Sequence, residues 1–418
     1  MILAAMLAVP LWGGTIEPTR FDLADRVKRL DEAWVNHRDP NLREAAVAEV
    51  SGAVMAFFGG RTPDACQALD RARAALLSRP LAGLDALIVR SDPPVVSVND
   101  KVQLTFGWAY PVSEKVTISI SGNTYDVDPK LGLTVDVNVA QKEGQQAVTM
   151  ESGGLSRTVT LQIVNDFPAR VTRLKASPLT SAIAAVLEQV GTGTYETEVP
   201  VLDWLTRGEA VLSGGWKATE EIDAAQAGNV TFRALVPRVA TSDTPVVIAL
   251  HGAGGSQNMF FESYGAGVGP KSARKRGWIF MSPRSVPGAV PACLAWLREE
   301  RGITPRKVFV MGHSMGGAVA LSKETLSAKP DALALFAPAS GGRLPAEARD
   351  LPVFLAVGKQ EMAMLRTTAS QLGVEIAARP GNSYIEYDRC EHLMIVAEAM
   401  AEAFAFFDKV LAPKQDSE

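Results

Sequence analysis

Four features of this chain have the residue types and spacing that acyl-transfer chemistry needs: a serine between glycines, a late histidine, a carboxylate after an apolar strand, and a glycine-rich loop. The serine lies in Gly312-His313-Ser314-Met315-Gly316, a G-x-S-x-G pattern that sets a nucleophile on a tight strand-to-helix turn. Val308-Phe309-Val310 before it reads as a buried parallel strand, and the small residues after it read as a helix. That context makes a common pattern specific. A serine hydroxyl is a poor nucleophile near neutral pH and needs a base. The chain has only 4 histidines. His313 sits inside the turn, pointing away from Ser314 Oγ in a packing role. His251 opens the glycine-rich loop, and His37 lies on a charged N-terminal helix. His392 is left, on the loop between the last strand and the last helix, at the sheet edge where such folds place their chemistry.

The histidine needs an acid to orient it, expected after a strand between serine and histidine. Ala-Pro-Ala-Ser follows the strand Leu333 to Phe336 and offers no carboxylate. Gly358-Lys359-Gln360-Glu361 follows the strand Val353 to Val357, so Glu361 is the favoured acid and Asp388, just before His392, the alternative. The loop His251-Gly252-Ala253-Gly254-Gly255 lets backbone amides approach a reacting carbonyl. The amide of Ala253, or alternatively Gly254, would join that of Met315 as oxyanion-hole donors, each worth about 10²–10³ in rate. A phosphate-binding reading of this loop fails, because neither G-x-G-x-x-G nor G-x-x-x-x-G-K-[ST] spacing is present.

Positioning these groups takes an α/β domain over residues 214–418. Strands at 230–236, 246–250, 278–281, 308–311, 333–336, 353–357 and 384–387 alternate with helical patterns such as 290–301 and 393–409. Such alternation implies a mostly parallel sheet with helices on both faces. Upstream the chain reads as multidomain. Leu23, Val27, Leu30 and Trp34, then Val47, Val50, Val54 and Phe57, make helical stripes, and Thr62-Pro63-Asp64 opens a third, giving a small helical bundle over residues 21–90. After Asp92-Pro93-Pro94 the apolar period changes to two, which reads as an immunoglobulin-like β-sandwich over residues 91–166. A helical connector over residues 167–213 follows. In the sandwich, Trp108, Tyr110 and Tyr125 are candidates for a carbohydrate-docking platform, with core packing the plainer reading. Residues 1–20 are an apolar N-terminus resembling the core of a truncated signal segment, which would mark an exported protein, periplasmic or extracellular; a greasy first helix in a cytoplasmic protein is the other reading.

Composition narrows the partners. The 418 residues carry a formal net charge of −4, which points away from nucleic acid and anionic membrane surfaces. Cys66, Cys293 and Cys390 are too scattered for a disulfide framework, although one pair, Cys293 with Cys390, stays open. No His, Cys, Asp or Glu spacing calls for a metal, and the chemistry above needs no cofactor. The one long apolar run, at the N-terminus, is too short to span a bilayer.

Together TPVVIALHGAGGS, RKVFVMGHSMGGAVAL, the VGKQE turn and CEHL resemble the α/β-hydrolase superfamily over residues 228–410. The look is nearest to esterases similar to feruloyl esterases, polyhydroxybutyrate depolymerases and dienelactone-hydrolase-like proteins. The resemblance implies serine-dependent hydrolysis of carboxylic esters through an acyl-enzyme, with Ser314 as nucleophile. One departure is the acid, a glutamate where most relatives carry aspartate. No cap domain fits between Phe336 and Val353, so an open cleft suited to polymer- or carbohydrate-linked esters is expected. A serine peptidase of the same superfamily and a non-catalytic binding or adhesion protein on this scaffold are the competing readings.

Overall fold

The computed structural model describes residues 14–113, 115–120 and 123–412, so residues 1–13 of the apolar N-terminus lie outside the described residues. Three helices come first: α1 (Arg20–Asn36), α2 (Pro40–Phe58) and α3 (Thr62–Leu76). Asp39 caps α2, its carboxylate accepting from Asn41 N at 2.8 Å and Leu42 N at 3.3 Å. Pro40 takes the first helical position, where a missing N–H is harmless. A single turn, α4 (Gly83–Ala86), leads into β1 (Leu87–Asp92), β2 (Val95–Val96), β3 (Lys101–Trp108), β4 (Val116–Ile120), β5 (Asn123–Val127), β6 (Leu133–Asn138), β7 (Gly144–Ser152) and β8 (Leu155–Ile163). These strands form two small sheets, β1-β3-β6 and β2-β8-β7, and a β4-β5 pair around one apolar cluster. The Asp92-Pro93-Pro94 break falls inside this region: β1 precedes it and pairs with β3 from Leu87 to Asp92. Trp108 and Tyr110 are not a surface platform. Both are buried in the cluster, and the Tyr110 hydroxyl donates to Asp70 at 3.0 Å.

The connector forms α5 (Phe167–Lys175), α6 (Ser181–Gly191) and α7 (Val201–Gly214). The large sheet follows, with β9 (Glu221–Ala227), β10 (Val230–Leu235), β11 (Val246–Leu250), β12 (Ile279–Pro283), β13 (Val308–His313), β14 (Ala332–Phe336), β15 (Val353–Gly358) and β16 (Ser383–Tyr387). Its spatial order is β9-β10-β12-β11-β13-β14-β15-β16. The pairs β9/β10 and β10/β12 are antiparallel and the rest parallel. Helices α8 (Met259–Glu262), α9 (Tyr264–Arg276), α10 (Ala289–Trp296), α11 (Met315–Ala320), α12 (Lys323–Ser327), α13 (Ala363–Ala377) and α14 (Ile395–Leu411) fill the crossovers and the C-terminus.

The period of two divides this sheet into two unlike faces. Val246, Ile248, Val308, Val310, Leu333 and Leu355 belong to a core shared with α5–α7 and α10. Val247, Phe309, Ala334, Phe336, Phe354 and Ala356 face the other way, into a core shared with α9 and α14, where Phe309 stacks on Phe407 at 4.4 Å between ring centroids. Helices α1–α3 join this second core through Leu30, Trp34, Val47, Val50 and Leu69. Trp34 Nε1 and Arg43 both donate to Glu398 of α14, at 2.6 and 2.9 Å. The N-terminal helices are therefore an outer layer of the large domain's core.

Candidate active site

Ser314 stands between β13 and α11 with φ 51° and ψ −118°, a conformation that a side-chain-bearing residue rarely adopts. The surroundings enforce it. Ser314 N donates to Phe336 O at 3.0 Å, and Ser314 O accepts from Ala339 N at 2.9 Å. A Cβ on Gly316 would lie 2.1 Å from Leu250 O, so no other residue fits the turn there.

The β15 turn is laced to the loop after β16: Lys359 N donates to Tyr387 O at 2.8 Å and Gln360 N to Cys390 O at 3.1 Å. This lacing brings Glu361 to His392. His392 Nδ1 lies 2.8 Å from Glu361 Oε2, with the glutamate side chain fully buried, while Glu361 Oε1 accepts from Met362 N at 2.7 Å. A carboxylate accepts, so His392 Nδ1 is the donor of this hydrogen bond. Asp388 is elsewhere: its carboxylate is three-quarters exposed and pairs with Lys359 Nζ at 2.5 Å, which holds it below the usual carboxylate range.

The other two histidines near the serine are fully committed. His313 Nε2 donates to the carbonyl of His392 at 2.8 Å, so its Nδ1 accepts from the Tyr264 hydroxyl at 2.7 Å. That hydroxyl in turn accepts from Gly252 N at 3.2 Å. Burial, reinforced by His392, holds His313 well below the ordinary histidine range. His251 donates from Nδ1 to Gly252 O at 2.8 Å and accepts from Ser285 N at 3.1 Å. Burial pushes it down to about 4. Neither ring has a nitrogen left for the serine proton. The placing of His313 goes beyond packing, since it tethers the backbone of His392 to the glycine-rich loop.

Sequence reasoning missed the supports of this tether. Tyr264, Gly265, Ala266 and Gly267 all have positive φ, and the Gly265 amide donates to Asp31 Oδ1 at 2.9 Å. The carboxylate of an N-terminal helix thus stabilises a backbone concavity that carries Tyr264. Burial raises Asp31 to about 7. Nothing periodic in the sequence links residues 31 and 265.

Ser314, His392 and the loop from Gly252 to Ser256 line one cavity, with Ala253 and Gly254 exposed at its edge. As the first residue of α11, Met315 has no helical acceptor for its amide. Arg20 of α1 donates to Gly254 O at 2.5 Å, tying the loop to the N-terminal helix. Much of the rest of the cavity wall comes from α1, α2 and α3, with Met259, Leu393 and Glu196 also lining it. An open cleft is therefore not what the fold builds. No cap interrupts residues 337–352, but the N-terminal helices, far away in sequence, roof the serine.

Cys66, Cys293 and Cys390 are free and buried, so Cys293 and Cys390 do not pair. Among the described residues no cluster of His, Cys, Asp and Glu could hold a metal ion. Among them, too, no helix is long and apolar enough to cross a membrane.

No protein-family model matches the chain, and no curated protein matches it. Solved structures do. The feruloyl esterase module from Clostridium thermocellum is 10% identical, with 47% of this chain and 90% of that one covered at a TM-score of 0.37. Est1E from Butyrivibrio proteoclasticus is 14% identical over 47% of this chain and 100% of that one, TM-score 0.34. A dienelactone hydrolase from Anabaena variabilis is 14% identical over 46% of this chain and 99% of that one, TM-score 0.36. Each of these likenesses spans just under half of this chain.

Proposed function

We propose that the protein hydrolyses carboxylic esters through an acyl-enzyme. The observation that carries this reading is the buried 2.8 Å contact of Glu361 with His392, beside a conformationally strained serine on the same cavity. Ser314 Oγ attacks the ester carbonyl carbon while His392 Nε2 takes its proton. The carbonyl π electrons move onto oxygen, and the amides of Ala253 and Met315 stabilise the resulting oxyanion. Collapse expels the alcohol, which receives the proton from His392. Water then repeats the sequence on the acyl-serine and releases the acid. Glu361 fixes the Nδ1–H tautomer and stabilises the transient imidazolium.

The roof of α1–α3 favours a small free ester over a polymer- or carbohydrate-linked one, and it equally disfavours an extended peptide. Comparing p-nitrophenyl acetate with a peptide anilide, alongside labelling by a fluorophosphonate, tests the reading. Ester turnover and labelling that both vanish in Ser314→Ala support it. Turnover persisting in Ser314→Ala, or an unlabelled wild type, refutes it.

A further inference from the structure

The cavity over Ser314 has a volume of ≈ 150 Å³ and is walled mainly by Val27 of α1, Val54 and Phe57 of α2, Leu69 of α3, and Met259 and Leu393 from the catalytic side. A volume of about this size is that of a cavity that takes a benzene ring, which sets the scale of the group it accommodates. On the catalytic side it also carries polar residues, among them Ser256, Asn258, Glu262, Ser314 and His392. Arg20 and Glu196 also line it, paired at 3.5 Å, with Arg20 further engaged on Gly254 O and Glu196 on Asn258 Nδ2. Both charges are thus already partnered. Nothing else among the wall residues supplied by the three helices would greet a charged or sugar-like group.

We infer that the N-terminal helices form the specificity pocket of the enzyme, and that the substrate is an ester carrying one compact uncharged apolar group, a phenyl ring or a chain of about four to six carbons. This rests on the ester-hydrolase reading of Ser314 and His392. Each methylene received by the pocket should raise kcat/KM about fourfold until the cavity is full, and a longer chain should then be rejected.

The test measures kcat/KM for two series. One varies the acyl group from p-nitrophenyl acetate through butyrate, hexanoate and benzoate to palmitate. The other varies the alcohol among methyl, butyl and phenyl acetates. One series should climb at least tenfold to a four-to-six-carbon or phenyl optimum; in the acyl series, palmitate should fall far below it. In Val27→Trp, which fills the cavity, the ratio of butyrate to acetate turnover (or of butyl to methyl acetate turnover) should drop at least tenfold. In Phe57→Ala, which enlarges it, the optimum should move to longer chains. Circular dichroism and thermal melting establish that each variant is folded, and either variant alone suffices to decide. Flat profiles in both series, a palmitate optimum, or unchanged ratios in a folded variant overturn the inference while leaving the ester hydrolase standing. Absence of all ester turnover together with absence of fluorophosphonate labelling brings down the hydrolase reading, and this inference with it.

Discussion

Helices α1–α3 meet the rest of the molecule on two sides, and the two contacts differ in their balance of apolar and charged groups. Toward the large domain they share Leu30, Trp34, Val50 and Leu69 with the aromatic face of the sheet and wall the cavity over Ser314, with Arg43 on Glu398 and Asp31 on the Gly265 amide as polar pins. Toward the small sheets they present ion pairs: Asp22 pairs with Arg90 of β1, and Asp25 with Arg157 of β8. Behind these, within the helical layer, Arg26 of α1 donates to Asp70 of α3 at 2.7 Å with both side chains essentially inaccessible, and also to Asp85 O of α4. Asp85 in turn pairs with Arg73 and Arg79. Apolar burial of this kind is non-directional. The ionic contact demands geometry, and breaking it strands a buried charge. The first contact lines the candidate site; the second joins the helices to the small sheets.

This contrast can be broken or sharpened in five ways. The largest expected effect is on the catalytic side: Ser314→Ala should lower kcat by roughly 10⁶, and Glu361→Gln by about 10²–10⁴. Melting temperatures should barely move in either, as read by circular dichroism. A fall in stability matching the fall in rate would mean these residues are structural.

On the ionic side the expectation reverses. Arg26→Ala leaves Asp70 buried with its closest cation gone and should cost about 3–5 kcal/mol in denaturant unfolding. The kcat/KM of the folded fraction should stay within about twofold. A large catalytic defect there would erase the distinction between the two contacts.

Acidity separates them next. Burial opposes ionisation of Asp22, Asp25 and Asp85, but their arginine partners outweigh it and hold all three below the ordinary value of 3.8. Their contribution is present above that value and lost as pH falls through it. Glu391, which caps the start of α14, and Asp31 go the other way, since burial raises each to about 7. Their contribution is complete at low pH and is lost as pH rises toward 7. The melting temperature should therefore peak near about pH 5 and decline on both sides. Glu391→Gln should flatten the alkaline decline by up to about 3 kcal/mol. A melting temperature still rising from pH 5 to pH 8 would contradict this.

Tyr264→Phe is a subtler change. It removes the hydroxyl joining Gly252 to His313, leaving a buried imidazole nitrogen unpaired at a cost of about 1–3 kcal/mol. Because His313 holds the His392 carbonyl, kcat should drop about tenfold with KM little changed. An effect on KM alone would place Tyr264 in substrate binding instead. The smallest effect is expected of Asp388→Asn: its pair with Lys359 lies in solvent, so the melting temperature should not move and the rate should stay within a few-fold. A crippled enzyme there would make Asp388 the acid.

What could be read from the residues follows from how local the cause is. The β13 turn was legible because one apolar strand, two glycines and a run of small residues are adjacent in sequence. His392 was legible by elimination, and Glu361 because Val353 to Val357 is an unmistakable buried strand. β9 was not: Glu-Ile-Asp-Ala-Ala-Gln-Ala has the composition of a helix, and pairing with β10 overrides it. Trp108 and Tyr110 bear out the plainer reading of core packing, while the partner Tyr110 finds in the buried Asp70, 40 positions away, has no local signal. The roof was illegible because Trp34 meets Glu398 across 364 positions, and no period or cap encodes such a meeting.

That separation has a consequence during synthesis. The apolar faces of α1–α3 leave the ribosome long before α14, the helix that helps bury them. At about 5–20 residues per second, Trp34 waits roughly 20–70 s for Glu398 to exist. Through that interval the nascent chain carries Leu30, Val47 and Val50 without their final cover, a standing invitation to holdase chaperones and to neighbouring chains on the same polysome.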